Sequence, residues 1–405
     1  MENKFKFIDL FCGIGGFHLA LSEIGGECVY ACDIDEKCRE IYRKNFGITP
    51  DGDITKVNAS DIPDHDVLCA GFPCQAFSIA GKQRGFSDET RGTLFLEICR
   101  ILKEKQPKYA LLENVKNLVK HDGGRTWRII RSSLMDVGYN VPETPALFSP
   151  HYIGVPQQRE RVYIMCTRND IEPVPKFSFD LTDIKQGNIE DILEDEEFTK
   201  MRPYMLPDEW VNYLNIWDEF YRNIKADRTP SFTVVSEYMH TKEDNKELWD
   251  RYERGEFQRW KEILIEKNYE LYMNNREFVD DWRDRAKSNP LFKGAKTRCD
   301  WQAGHYDEPS IWEHILKTRQ SGLRVKKAIN FPTLVVHKEL PIIGRRIRYI
   351  TPRECARLQS FPDWFILDEN DDEARKQFGN SVNVDVTRMF AKFLLGDEET
   401  RKKYS

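Results

Sequence analysis

Residues 7–21 read FIDLFCGIGGFHLAL. The aromatic and β-branched run at the start suits a buried strand, and the apolar run at the end suits a helix. Between them, glycines at 13, 15 and 16 make a turn at a helix N-terminus, where a ligand can approach the backbone. The spacing misses the dinucleotide fingerprint, because His18 stands where its third glycine would be. Asp33 lies about 20 residues beyond the turn, at the end of the next strand, where a carboxylate can accept hydrogen bonds from ribose hydroxyls. GDIT, at residues 52–55, offers another polar contact. Together these features favour a nucleoside-containing cofactor, without choosing between NAD and S-adenosylmethionine.

Outward from this stretch the pattern repeats. Strands are predicted at residues 5–11, 27–32, 67–70, 109–112 and 161–166, with helices near 17–24, 35–45 and 91–105. Such a series implies an α/β fold with a mostly parallel sheet covered by helices. The 405 residues can hold two or three domains, and 32% charged with 40% hydrophobic residues is a soluble globular profile. No apolar run approaches membrane-spanning length, and MENKFKFIDL lacks a signal-peptide core. The ten cysteines show no CxxC or zinc-type spacing, and the histidines are dispersed. Reduced thiols, a cytoplasmic location and no metal site are therefore expected.

After residue 167 the character changes. A proline-containing stretch (172–179) and an acidic run, DIKQGNIEDILEDEE (183–197), suggest a boundary. Residues 208–288 are rich in charge and aromatics, and Trp249, Tyr252, Trp260, Ile263, Leu264, Leu271, Phe278 and Trp282 recur there at spacings of three and four. Amphipathic helices are expected there, with the aromatics in a core rather than on a stacking surface. The net charge of −6 argues against a nucleic-acid partner by its sum alone, but residues 317–353 carry ten Lys/Arg against the single acid Glu339. That basic stripe is either a solvated face or a phosphate-binding one. TPRE at 351–354 has the threonine cap, first-position proline and early acid of a helix start, and a last apolar helix is expected to end near Leu395.

The chemistry is carried by residues at strand ends. Cys74 leaves the third strand in GFPCQAFS, preceded by proline and followed by small and polar residues. A cysteine there is either a small buried hydrophobe or a partly exposed nucleophile. The next strand ends ALLENV, which puts Glu113 at the same carboxyl edge. A thiol and an acid at one edge suit conjugate addition to an electron-poor ring, with the acid hydrogen-bonding or protonating a ring nitrogen. In PQQRERVYI, Arg159 and Arg161 alternate as a strand begins. One guanidinium can hold a carbonyl oxygen while the other pairs with a carboxylate or phosphate.

The ordered set FCGIGG, GFPCQAFS, ENV, QQRERVYI, TPRECARLQSFP and QFGNSV closely resembles the DNA cytosine-5 methyltransferases of bacterial restriction–modification systems. The resemblance spans residues 5 to 170 and 344 to 395, and breaks where that family places its target-recognition domain. It implies a Rossmann-like methyltransferase fold using S-adenosylmethionine, released as S-adenosylhomocysteine. Cys74 would attack C6 of a cytosine flipped out of double-stranded DNA, Glu113 would contact N3 and the amine, Arg161 would bind O2, and Arg159 would support them. Extrusion is required because a stacked base cannot be reached. Similar motifs assign the cofactor to Phe11, Gly13, Gly15, Asp33, Ile34, Asp53, Ile54 and Leu94, with Asn380 and Ser381 completing the pocket. Asp33-Ile34 replaces the family's frequent glutamate–aromatic pair, and Ala80 stands where some relatives have a serine that fills the emptied stack.

Gln75, Ser78 and Arg91 are candidate phosphate or gap-filling contacts on a loop that would close over the DNA. KTRQSGLRVKK (317–327) is expected to face DNA as a loop, where Arg319, Arg324 and Lys326 would contact phosphates or, for the arginines, guanine edges. The expected domains are 1–172, 173–350 for target recognition, and 351–405, whose last part completes the catalytic domain, with DNA in the cleft between the two domains. A monomer paired functionally with a restriction endonuclease is expected. The alternatives are a tRNA cytosine-5 methyltransferase, an inactive DNA-binding homologue and a NAD oxidoreductase. Against them stand the absent Cys-Phe-Thr tripeptide, the joint presence of Cys74, Glu113 and Arg161, and the glycine spacing.

Overall fold

A computed structural model of the chain describes residues 4–73, 93–200, 203–307, 309–334 and 339–405. Strand β1 (Phe5–Leu10) alternates as a two-sided strand must. Ile8 and Leu10 enter a core shared with Leu68, Ala70, Ala110 and Leu112, which leaves Phe7 and Asp9 for the opposite face. Helix α1 (Gly16–Ser22), β2 (Gly26–Cys32) and α2 (Glu36–Phe46) follow. The start of α2 is fixed by Asp35, which accepts hydrogen bonds from the backbone of Lys37 and Cys38, and its end by Gly47 at φ 71°. Next come β3 (Val67–Gly71), α3 (Thr93–Lys105), β4 (Tyr109–Val115) and α4 (Arg125–Asp136). Strands β2, β1, β3 and β4 lie side by side and parallel.

Strands β5 (Tyr139–Asn140), β6 (Ala146–Phe148) and β8 (Arg161–Arg168) complete the sheet, while β7 (Gln157–Gln158) lies outside it. The seven-stranded sheet has the order β2-β1-β3-β4-β8-β5, with β6 on β8. The α/β class holds, but residues 161–166 do not continue the parallel series. Strand β8 runs antiparallel to β4, and β5 and β6 run antiparallel to β8. After the α4 crossover the chain lays β5 one position further out. Strand β8 then fills the gap from the opposite direction, which requires no second crossover helix.

The chain divides into two compact units, Met1–Ile192 with Pro332–Val336 and Pro352–Ser405, and Leu193–Phe331 with His337–Thr351. The second contains α5 (Glu196–Lys200), α6 (Asp208–Asn223), β9 (Thr233–Val235), α7 (Lys246–Glu253), α8 (Arg259–Met273) and α9 (Arg276–Lys287). Strands β10 (Arg298–Gln302), β11 (Ile315–Arg319) and β12 (Gly322–Lys326) follow, then β13 (Phe331–Pro332) at the unit boundary, β14 (Ile342–Ile343) and β15 (Arg348–Tyr349). Its six-stranded sheet has the order β15-β14-β11-β12-β10-β9. Trp217, Trp282, Trp301, Tyr213 and Tyr272 fill its core, as the aromatic spacing predicts. Trp260 is the exception at 64% exposure. It sits off the helical stripe of Ile265, Asn268 and Tyr272 that α8 buries.

The chain closes the first unit with α10 (Pro352–Leu358), α11 (Asp371–Asn380), α12 (Val384–Leu395) and α13 (Glu398–Tyr404). The expected apolar helix is α12, while α11 and the charged α13 add helices the periodicity did not reveal. Phe390 of α12 stacks on Tyr163 with ring centroids 4.3 Å apart. A Cβ at Gly16 would lie 2.7 Å from Val382 Cγ2 and 2.8 Å from Ser381 Oγ, so the glycine lets the C-terminal segment press against the start of α1. Among the described residues no helix is long and apolar enough to cross a membrane.

Candidate active site

Parallel strands end at a common edge, and the residues just beyond them face any ligand bound there. Strand β8, being antiparallel, begins at that same edge. Its register sets Arg161 opposite Val115 and Tyr163 opposite Glu113. Arg161 Nε consequently lies 3.0 Å from Glu113 Oε1. Glu113 is buried, and burial raises its carboxyl above the ordinary range while the charges of Arg161 and Arg159 pull it back. Burial favours the protonated acid and the two guanidinium groups favour the carboxylate, an opposition that suits a group exchanging a proton at this edge.

Arg159, whose charge acts on Glu113, also makes contacts that the sequence did not announce. Its Nη2 donates to the carbonyls of Gly379 at 3.0 Å and Ser381 at 2.7 Å, and its backbone N–H donates to Ser149 Oγ at 3.0 Å. Burial and the neighbouring Arg161 lower its pKa, although a guanidinium keeps its proton. Arg159 therefore fastens the C-terminal segment to the site. Its Nε and Nη1 are buried and have no hydrogen-bond partner among the described residues.

Cys74, Gln75, Ser78 and Arg91 lie outside the described residues. The chain leading to Cys74 is fixed from the neighbouring strand. Asn114 Nδ2 donates to the carbonyl of Phe72 at 2.8 Å, and Asn114 is itself buried. Gly71 pairs with Glu113 across β3 and β4, so the exit of β3 and the acid share one register.

The glycine turn and the end of β2 form a second cluster. Phe11 holds φ 54° and Gly13 φ 52°, and a Cβ at Gly13 would meet nothing within 4 Å. Asp33 accepts from Gly13 N at 2.7 Å and from Asp35 N at 2.8 Å. Burial raises its pKa, opposed by these same amides. Beside it Ile34 is 77% exposed. Arg39 Nη1 donates to the carbonyls of Asp33 and Ile34 at 2.9 and 3.0 Å. Asp53 caps a short turn by accepting from Thr55 N and Oγ1, and Arg100 of α3 donates to the carbonyls of Ile54 and Val57. Ile54 is buried in the core, and Leu94 and Phe11 pack against that core. Ser381 caps the end of α11 and Asn380 is exposed. An open glycine turn, a restrained carboxylate and an exposed apolar side chain beside it fit the ribose and base of a nucleoside cofactor.

In the second unit, Arg319, Arg324 and Lys326 lie on strands β11 and β12 rather than in a loop, with only residues 320–321 forming the turn. The correction follows from alternation: Leu316, Leu323 and Val325 face the core, which commits the residues between them to the other face. Lys317 pairs with Arg324 across the ladder. It is buried on that face, where burial and the charges of Arg319, Arg324 and Lys326 lower it to about 8.

Sequence reasoning missed Asn114, Arg39 and the carbonyls of residues 379 and 381. Asn114 stood in the quoted ENV motif, and its amide was the available signal. The carbonyls carry no side-chain signal at all. Among the described residues, no group of three or more His, Cys, Asp or Glu is arranged to hold a metal.

A profile of the C-5 cytosine-specific DNA methylases matches residues 5–395. The chain is 33% identical to the Type II methyltransferase M.HhaI of Haemophilus parahaemolyticus over 399 residues, covering 98% of this chain and 96% of that protein. It is 35% identical to the Type II methyltransferase M.HpaII of Haemophilus parainfluenzae over 398 residues, covering 98% and 90%. A solved DNA modification methyltransferase encoded within an E. coli prophage shares the fold at a TM-score of 0.55 and 21% identity, covering 96% of this chain and 98% of that one. With strand-end acid, arginines and glycine turn in place and a family match along nearly its whole length, the chain belongs to the C-5 cytosine-specific DNA methylase family.

Proposed function

We propose that this DNA cytosine-5 methyltransferase works through a covalent adduct of Cys74 with a flipped target cytosine. The buried Glu113–Arg161 pair at the sheet edge carries the reading. Cys74 thiolate bonds to C6 while Glu113 gives a proton to N3, so the electron pair displaced from the C5–C6 bond does not accumulate as charge. Arg161 holds O2 and keeps Glu113 oriented. Phe11, the glycine turn, Asp33 and Ile34 hold the cofactor, with Asp53, Ile54, Leu94, Asn380 and Ser381 around it. When bound, S-adenosylmethionine supplies the methyl group that C5 takes up. Loss of the C5 proton then expels the thiolate, and N3 returns its proton to Glu113, which restores the neutral ring and the acid and leaves S-adenosylhomocysteine as the other product. Arg159 keeps residues 379–381 in place during this sequence.

The second unit is the target-recognition module, and its cationic sheet face contacts DNA together with Gln75, Ser78 and Arg91. The enzyme acts as a cytoplasmic monomer that protects DNA against a partner endonuclease. The test is to express the chain in a host lacking cytosine methylation and map 5-methylcytosine by sequence context. One context should be marked, and Cys74→Ser should remove the mark while cofactor binding persists. Marking that survives in Cys74→Ser would overturn the nucleophile.

A further inference from the structure

On β10 and β12, Asp300 sits opposite Arg324, and Gln302 opposite Lys326. Asp300 Oδ2 accepts from Arg324 Nε at 3.0 Å and lies 2.9 Å from Arg324 Nη2. The same oxygen accepts from Gln302 Nε2 at 2.8 Å. Arg324 and Asp300 are largely shielded, with side chains 26% and 19% exposed. These groups share the sheet face that carries Lys317, Arg319 and Lys326, while Cys299, Leu323 and Val325 enter the core beneath.

A guanidinium is a planar fork with two usable edges. Asp300 takes the edge formed by Nε and Nη2, which leaves the end-on edge formed by Nη1 and the second Nη2 hydrogen. That edge matches the N7 and O6 acceptors of guanine and no other base in the major groove. A phosphate contact needs only charge and tolerates a swinging side chain. Holding Arg324 by a neighbouring carboxylate removes rotamer freedom in advance, which serves direction rather than charge. The pairing also weakens Arg324 as a general phosphate binder, because Asp300 offsets its charge.

We infer that Arg324, oriented by Asp300, reads one guanine of the recognised DNA sequence, with Asp300 as a positioning residue that touches no base. This rests on the second unit being the target-recognition module. The consequence is that the recognised site contains a guanine at a fixed distance from the target cytosine.

The experiment uses the full chain, S-adenosylmethionine and a duplex library randomised around a cytosine, with methylated products sequenced. The native enzyme should require guanine at one position. Arg324→Lys, which keeps the charge and loses the fork, should relax guanine-over-adenine discrimination there by about 10-fold or more. Asp300→Asn should relax it by a smaller factor at the same position, and Asp300→Glu should recover part of it. A structural role alone would lower methylation at every site and leave the base profile unchanged. An unchanged profile in Arg324→Lys overturns this inference and leaves the enzymatic reading intact, whereas no methylation by the native chain overturns both. Should Arg324→Lys fail to fold, Asp300→Asn decides, since an unaltered base profile there also overturns the inference.

Discussion

The edge of the first sheet and the cationic face of the second treat charge in opposite ways. At the edge, Glu113 meets Arg161 at 3.0 Å within a buried site, and each ion has a partner. On the face of the second sheet, Lys317, Arg319, Arg324 and Lys326 share one side with Asp300, and each of Lys317, Arg319 and Lys326 is lowered by burial and by its cationic neighbours. The first balances one acid against one guanidinium and suits chemistry on an uncharged ring. The second holds an excess of positive charge that an anion would relieve, which suits a polyphosphate backbone. The first pairs one acid with one guanidinium, whereas the second sets four cations against Asp300 and Glu339.

Breaking the first arrangement should have the largest effect. Glu113→Gln keeps the shape of the acid but cannot deliver its proton, and should reduce single-turnover methylation by about 10²–10⁴-fold. Loss of less than 10-fold would mean that N3 takes its proton from elsewhere.

A second test sharpens the contrast through a buried acid with no cation. Asp9 is fully buried, and among the described residues neither of its carboxylate oxygens has a hydrogen-bond partner. Burial, then the charge of Asp33, raises it well above the ordinary value of 3.8. The folded state therefore binds the proton more tightly than the unfolded one. Its contribution to stability is complete below the unfolded pKa and is lost as pH rises through the folded pKa. Asp9→Asn should flatten the decline of stability as pH rises above the unfolded value, read by urea unfolding at a series of pH values. An unaltered slope would mean that Asp9 ionises with little cost.

The smallest effect belongs to the exposed cations. Arg319→Ala should weaken DNA binding without altering base preference, and should reduce the slope of log affinity against log salt by about 0.9. A changed base profile with an unchanged slope would make Arg319 a base reader instead.

Much of the site was legible because chemistry restricts residue types at particular points. FCGIGG announced an open turn, ENV an acid at a strand end, and QQRERVYI paired guanidinium groups. Arg159 was legible as part of the site but not as a clasp, since its partners are carbonyls of residues 379 and 381. Trp260 shows the same limit in the second unit: residue type and spacing placed it in a core, and its angle around α8 put it in solvent.

From sequence alone came the α/β class, the glycine turn, the acid and arginines at strand ends, and the family resemblance, because each follows from local chain geometry or from residue chemistry. Only the tertiary structure decided that β8 runs against β4. Had it continued the parallel series, Arg161 would begin its strand at the far edge of the sheet from Glu113. Only the fold likewise put Asp300 beside Arg324, since strand register pairs residues that no local pattern links. Direction and register are set by which apolar faces must be buried together, and that is a property of the whole chain.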